Sequence, residues 1–160
     1  MRNVKRAIKD RENARYCLKI DIRKFYPSID HDVLKTIIRR KIKCKDTLAL
    51  LDTIIDSTDG VPIGNYLSQY FANLMLAYFD HWIKEEKRVR NYFRYADDMV
   101  FLASTKEELH ILLADIKKYL AALKLTLKGN EQIFPIAENR ADKHGRGLDF
   151  VGFVFYLSLI

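Results

Sequence analysis

The chain has 160 residues, 49% of them apolar and 31% charged, a length that fits one domain and a composition that excludes wholesale disorder. Lys and Arg number 28 against 21 Asp and Glu, a formal charge of +7, which favours polyanionic partners such as nucleic acid. Cys17 and Cys44 have neither metal-ligand nor CxxC spacing, which supports no disulfide framework and no structural zinc and suits a cytoplasmic, reducing location. No apolar run reaches the ~20 residues of a membrane span, and no secretory signal or membrane anchor is read.

Residues 1–15 read as a basic N-terminal arm, charged throughout and without a periodic apolar face. Tyr16 to Ile22 then alternates, Leu18, Ile20 and Ile22 against Lys19 and Asp21, which predicts a half-buried strand with Asp21 on its polar face. Pro27 and Ser28 end it, and Asp30 is placed to cap a helix burying Val33, Leu34, Ile37, Ile38 and Ile42. A second short helix is expected after Asp46. Gly60 and Gly64 bracket a Val-Pro-Ile loop, after which Asn65 is placed to cap a long helix reaching about Lys87. Its stripe of Leu67, Phe71, Leu74, Met75, Tyr78, Phe79, Trp82 and Ile83 recurs every three or four residues and reads as core.

Two β-prone runs, Tyr92–Tyr95 and Met99–Leu102, meet at Ala96-Asp97-Asp98, which reads as a hairpin with an acidic tip. Thr105 and Glu108 form a capping box for a helix burying Leu109, Leu112, Leu113, Ile116 and Leu120. Leu123, Leu125 and Leu127 alternate before Gly129-Asn130, and Gln132 to Ile136 runs extended, which predicts a second hairpin. A polar loop over 138–147 leads to a last strand around Leu148 to Tyr156. The order predicts an α+β fold, an antiparallel sheet with helices packed on one face and the other face left for function.

Asp21, Asp97 and Asp98 each interrupt an apolar, β-prone context. Singly, each reads as a turn or surface carboxylate. If the first strand pairs beside the hairpin, the three converge, and clustered carboxylates repel unless a cation neutralises them. Hard oxygen donors without His or Cys select Mg²⁺ or Mn²⁺, and two such ions suit nucleotidyl transfer.

Together these segments resemble the reverse transcriptases. Tyr95-Ala96-Asp97-Asp98 is similar to the family's YxDD motif, and Lys19 to Asp30, with an aromatic pair at Phe25-Tyr26, resembles its first metal-binding motif. Gly64 to Gln69 resembles the motif opening the helix beneath template and incoming nucleotide. Lys128 lies in a stretch like the fourth motif, and Leu148 to Phe153 looks like the primer-grip hairpin. The similarity spans residues 16–156, so the resemblance implies a polymerase palm over 16–160, with 1–15 a remnant of the fingers. It implies Asp21, Asp97 and the Ile22 carbonyl as metal ligands, Asp98 as a supporting carboxylate, and Lys128 as the group that steadies or protonates the leaving pyrophosphate. It implies Tyr26 as the aromatic gate against a 2′-hydroxyl, where the residue alone reads as core beside Phe25. Ile63, Gly64 and Gln69 become nucleotide-binding positions, although Gly64 also reads as a loop glycine. Phe150, Val151 and Gly152 become the primer grip.

Ile63-Gly64 with Ser68-Gln69, in place of Gln-Gly and Ser-Pro, resembles the enzymes of diversity-generating retroelements, which err chiefly at template adenines. Retron and group II intron enzymes are the other relatives implied. The expected function is RNA-directed DNA synthesis from dNTPs on an RNA template and primer strand, with two Mg²⁺ replaceable by Mn²⁺ and an accessory protein of the retroelement as a further partner. With fingers and thumb motifs unread, the 160 residues alone are expected to polymerise poorly. Two alternatives are weighed: a nucleic-acid-binding module without catalysis, and a diguanylate-type cyclase, whose Gly-Gly-acidic hairpin Tyr95–Asp98 does not resemble.

Overall fold

The computed structural model describes residues 2–62, 64 and 66–158. The elements in chain order are α1 (Arg2–Ile8), β1 (Tyr16–Asp21), α2 (Phe25–Ser28), α3 (His31–Lys41), α4 (Lys45–Ile55), α5 (Tyr66–His81), β2 (Asn91–Tyr95), β3 (Asp98–Ala103), α6 (Lys106–Ala122), β4 (Gln132–Pro135), β5 (Leu148–Phe150) and β6 (Phe153–Phe155). Among the described residues β1 to β4 form one antiparallel sheet of order β2-β3-β1-β4, and β5 and β6 form a separate hairpin. The α+β architecture expected from the element order is therefore present.

The period-2 pattern of β1 decides how the sheet is clothed. Leu18, Ile20 and Ile22 join Met99 and Phe101 of β3 beneath α3, α5 and α6, which contribute Leu34, Ile38, Met75, Phe79, Leu109 and Ile116. This is the main core. Two caps read from sequence are in place: Asp30 accepts from the Val33 amide at 3.0 Å and Thr105 from the Glu108 amide at 3.3 Å. The Glu108 carboxylate reaches the Ser104 hydroxyl. The long helix ends differently from expectation, because its final turn, Trp82–Glu86, widens into a π turn in which the Lys87 amide bonds the Trp82 carbonyl.

Three expectations are corrected. The 1–15 segment does carry an apolar face, since Val4, Ala7 and Ile8 are buried in a second core with Cys17, Val100, Leu102, Leu148, Phe150 and Phe155. A spacing of three and one is helical, and the surrounding charge hid it. The second face of the sheet is in consequence largely covered by this second core.

Leu123–Leu127 is not a strand either. Lys124 takes φ +59° and the Lys124 and Leu125 amides close back on the Ala121 and Leu120 carbonyls, the Schellman end of α6. Only Leu127 reaches the sheet, as a bridge to Ile22. β4 accordingly pairs with β1, Lys19 opposite Gln132, rather than folding back on 123–127. Finally, Leu148–Tyr156 is not the one strand read from its pattern but a hairpin, as the resemblance of Leu148–Phe153 implies, turned by Val151 (φ +51°) and Gly152 (φ +74°), the left-handed pair a two-residue hairpin needs.

Among the described residues no helix is long and apolar enough to cross a membrane.

Candidate active site

The register of the sheet brings the carboxylates together. β1 and β3 pair so that Asp21 stands opposite Asp98, and Asp97 occupies the adjoining β2–β3 turn. They line a cleft of about 280 Å³ with Lys19, Asn130, Gln132 and Arg146. A larger concavity, about 470 Å³, lies between residues 87–91 and α6 at the other end of β3, where Lys87 is paired with Asp115. Chemistry rather than size singles out the smaller cleft.

Burial raises the Asp97 carboxyl above its ordinary range, and the charge of Asp21, a hydrogen bond with Asp21 and the charge of Asp98 push the same way against the lowering by its own backbone amide. Asp98 is raised too, by burial first; Lys19 opposes this, while Asp21 and Asp149 add to it. Two lysines blunt the repulsion. Lys128 Nζ lies 3.1 Å from Asp21 Oδ2, and Lys19 Nζ lies 3.5 Å from Asp98 Oδ2. Asp98 Oδ1 is buried without a hydrogen-bond partner, an oxygen that costs free energy until a donor or cation meets it.

That orphaned oxygen and the raised carboxyls are what a hard divalent cation would relieve, so the donor set fits Mg²⁺ or Mn²⁺. Among the described residues no group of three or more His, Cys, Asp or Glu side chains is arranged to hold a metal ion; the Lys128 ammonium stands against Asp21 instead. Ile22 follows directly. Its side chain is buried, and the two bonds closing its bridge run from the Lys128 amide to the Asp21 carbonyl and from the Arg23 amide to the Thr126 carbonyl. Neither uses the Ile22 carbonyl.

The remaining described positions named from sequence do not line this cleft. Phe25 is in the core while Tyr26 is half-buried against it, rings 5.6 Å apart, so Tyr26 is not the full core residue that local reading expects. Gly64 takes φ +94°, and a Cβ there would meet no protein atom within 4 Å. Its need for glycine in the chain is thus conformational. Gln69 is exposed on the first turns of α5. Ile63 and the Asn65 cap lie outside the described residues. Phe150 is buried in the second core, with Val151 and Gly152 at the exposed hairpin tip. Lys19 joins that hairpin to the carboxylates, donating to the Asp149 carbonyl at 2.8 Å.

Sequence reasoning missed Arg94. Ala96 takes φ +52°, a left-handed conformation that costs about 1–2 kcal/mol outside glycine, and it sits immediately before Asp97. Arg94 donates to the Ala96 carbonyl at 3.1 Å and is itself held by Asp80 of α5, Nε to Oδ1 at 2.9 Å, and by Asn73. Tyr92 donates to the same Asp80. The helix therefore clamps the turn that presents Asp97. An alternating polar position in β2 was the available signal, but its partner is fourteen residues away in sequence. Arg94→Gln should lower stability by about 2 kcal/mol, less than the loss of a fully buried pair because Asp80 keeps about a third of its side chain exposed. A urea midpoint unchanged from wild type would show the clamp to be idle.

A family model for "Reverse transcriptase (RNA-dependent DNA polymerase)" matches residues 1–130. The chain belongs to the reverse transcriptase family. It is 29% identical over 136 residues to the retron Ec73 reverse transcriptase of Escherichia coli, an alignment covering 76% of this chain. The chain spans less than half, 43%, of the length of that relative. The family match begins at residue 1, so the α1 segment lies within it. In this reverse transcriptase chain the mixed helix and antiparallel-sheet fold is that of a palm, and the acidic cleft stands at the end of its two central strands.

Proposed function

We propose that the chain is the catalytic palm of an RNA-directed DNA polymerase that joins dNTPs to a primer 3′-hydroxyl on an RNA template. The observation that carries this is the pairing of Asp21 with Asp98 beside Asp97, in a chain of the reverse transcriptase family. Asp21, Asp97 and the Ile22 carbonyl would hold two divalent cations, with Asp98 supporting them. Bound there, the cations supply charge stabilisation for the attacking hydroxyl and the leaving phosphate. The protein's own part is to hold these oxygens side by side at a rigid sheet end. Lys128, tied by its amide to the Asp21 carbonyl and by its ammonium to Asp21 Oδ2, would meet the charge developing on the pyrophosphate.

The Tyr26 ring closes the sugar side of the nucleotide site. Tyr26→Ala should therefore admit ribonucleotides, lowering discrimination about 10- to 100-fold, the scale on which excluding one small group operates. Competition between matched dNTP and NTP reads this directly, and unaltered selectivity would remove the gate.

The Ser68-Gln69 pair supports the diversity-generating subclass, and the likeness to a retron enzyme supports the retron subclass. An error spectrum concentrated at template adenines would decide for the first. The RNA template, the primer, dNTPs and an accessory retroelement protein are the partners this reading implies, in the cytoplasm. The primary test is extension with Mg²⁺ on matched RNA and DNA templates by the protein at its natural length. Copying of RNA is the expected result; binding of the hybrid without divalent ions and without product would overturn the reading in favour of a binding module.

A further inference from the structure

We infer that Arg146 is a positioning residue that holds a backbone phosphate of the primer strand at the edge of the carboxylate cleft, an inference that rests on the polymerase reading above. Arg146 lines the cleft together with Asp21, Asp97 and Asp98. Its Nη1 donates to Gln132 Oε1 at 2.7 Å, and its guanidinium lies over the Phe134 ring, 5.1 Å from the centroid. Both partners are neutral, so neither cancels the charge. A guanidinium stacked and hydrogen-bonded on one edge keeps its other N–H donors in a fixed plane, the geometry that suits phosphate oxygens.

The backbone beneath it is equally constrained. The Arg146 amide donates to the Pro135 carbonyl and the Arg146 carbonyl accepts from the Ala137 amide, each at 2.9 Å. A Cβ at Gly145 would fall 2.6 Å from the Ala137 backbone, and one at Gly147 would fall 2.5 Å from Val154 Cγ1 and 3.0 Å from the Tyr156 ring. Two glycines thus let the chain press against its neighbours on either side of the arginine, and the side chain is presented from a wedged support rather than a swinging loop.

Three carboxylates repel any approaching phosphate, so a polyanion needs compensating cations at the rim. Lys128 and Lys19 already face Asp21 and Asp98, which leaves Arg146 as the cation whose partners in the cleft are uncharged. Its location selects the strand rather than the incoming nucleotide. Tyr26 packs against the core on the helix-covered face of the sheet, whereas Arg146 stands beside Phe134 of the second core and leads through Gly147 into β5. On this reading the phosphate it meets lies on the β5–β6 side of the cleft, away from Tyr26.

The test uses the protein at its natural length, with Arg146→Gln and Arg146→Lys. Binding of a fluorescent DNA primer on an RNA template is followed by anisotropy over a KCl series, and steady-state extension is measured separately. Arg146→Gln should weaken duplex binding about tenfold near 0.15 M salt and reduce the slope of log K against log salt by about one, the loss of one phosphate contact. The KM for primer–template should rise while that for dNTP stays constant. Arg146→Lys, which keeps the charge, should restore the slope, as a merely structural defect would not. An unchanged slope in Arg146→Gln overturns the inference, and so does a rise confined to the dNTP KM, which would put the arginine on the triphosphate. Because the slope is read without chemistry, a wild type that binds but never extends overturns the polymerase reading and leaves the slope to decide the fate of Arg146.

Discussion

Asp97→Asn should abolish primer extension, by a factor of about 10³ or more, at every Mg²⁺ concentration tested. The size follows from the several kcal/mol that metal charge stabilisation supplies at a transferring phosphoryl group. Added metal cannot restore an anionic ligand that is no longer there. The same variant should melt at a higher temperature than wild type when both are kept in chelator at neutral pH. Burial and Asp21 hold the Asp97 carboxyl above its ordinary range, so the folded state binds this proton more tightly than the unfolded chain does. The resulting stabilisation is complete below the unfolded value, about 3.9, and is lost as pH rises through the raised folded value. At neutral pH the wild-type protein carries the repulsion, and the amide does not. Each ~1 kcal/mol regained appears as about 2–4 °C in a chain of this size. Near-normal extension by Asp97→Asn would refute the assignment of Asp97 as a ligand, and a lowered melting point would refute the repulsion.

Gly60→Ala should be the most damaging single-methyl change on the site's periphery. Gly60 takes φ +68°, and a Cβ there would stand 2.5 Å from the Tyr26 carbonyl oxygen and 2.6 Å from Pro27 Cα. Both obstacles are backbone, so no side chain can swing aside. The Val61 amide donates to that Tyr26 carbonyl at 3.0 Å, and His31 bonds the Gly60 carbonyl at 2.7 Å, which locks the two segments together. Left-handed strain and overpacking together should cost about 2–4 kcal/mol, or roughly 5–15 °C in melting temperature. Because displacement of Tyr26 is the means of relief, sugar discrimination should fall with stability. Gly64→Ala is the internal comparison: its Cβ meets open space, so only the conformational cost, about 1 kcal/mol, should register. Equal melting shifts in the two variants would show that the close approach of residues 26 and 60 is not real in solution.

The features legible in the sequence are those whose cause is local. The alternation of β1, the Asp30 and Thr105 caps and the apolar stripe of α5 each lie within a few residues of what they determine. The pairing that assembles the carboxylates was anticipated as a condition, strand beside hairpin, and the register meets it. What was illegible depends on distant partners or on backbone angles. Leu123, Leu125 and Leu127 look like a strand because a helix ending in a left-handed Lys124 also spaces apolar residues by two. Gly60 looked like loop punctuation, since the Tyr26 carbonyl it must clear is far away in sequence. Arg94 and Arg146 carry no local signal, because the groups that hold them, Asp80 and Phe134, lie more than ten residues away in sequence.

The second core has a kinetic implication. Val4, Ala7 and Ile8 share their burial with Leu148, Phe150 and Phe155, residues made about 140 positions later. At a synthesis rate of about 5–20 residues per second, the apolar side of α1 waits roughly 7–30 s for those partners to emerge, while the main core beneath α3 and α5 draws on much nearer neighbours. The rear of the sheet should be the last region to gain protection from hydrogen exchange during refolding, and the first to attract a chaperone on the ribosome.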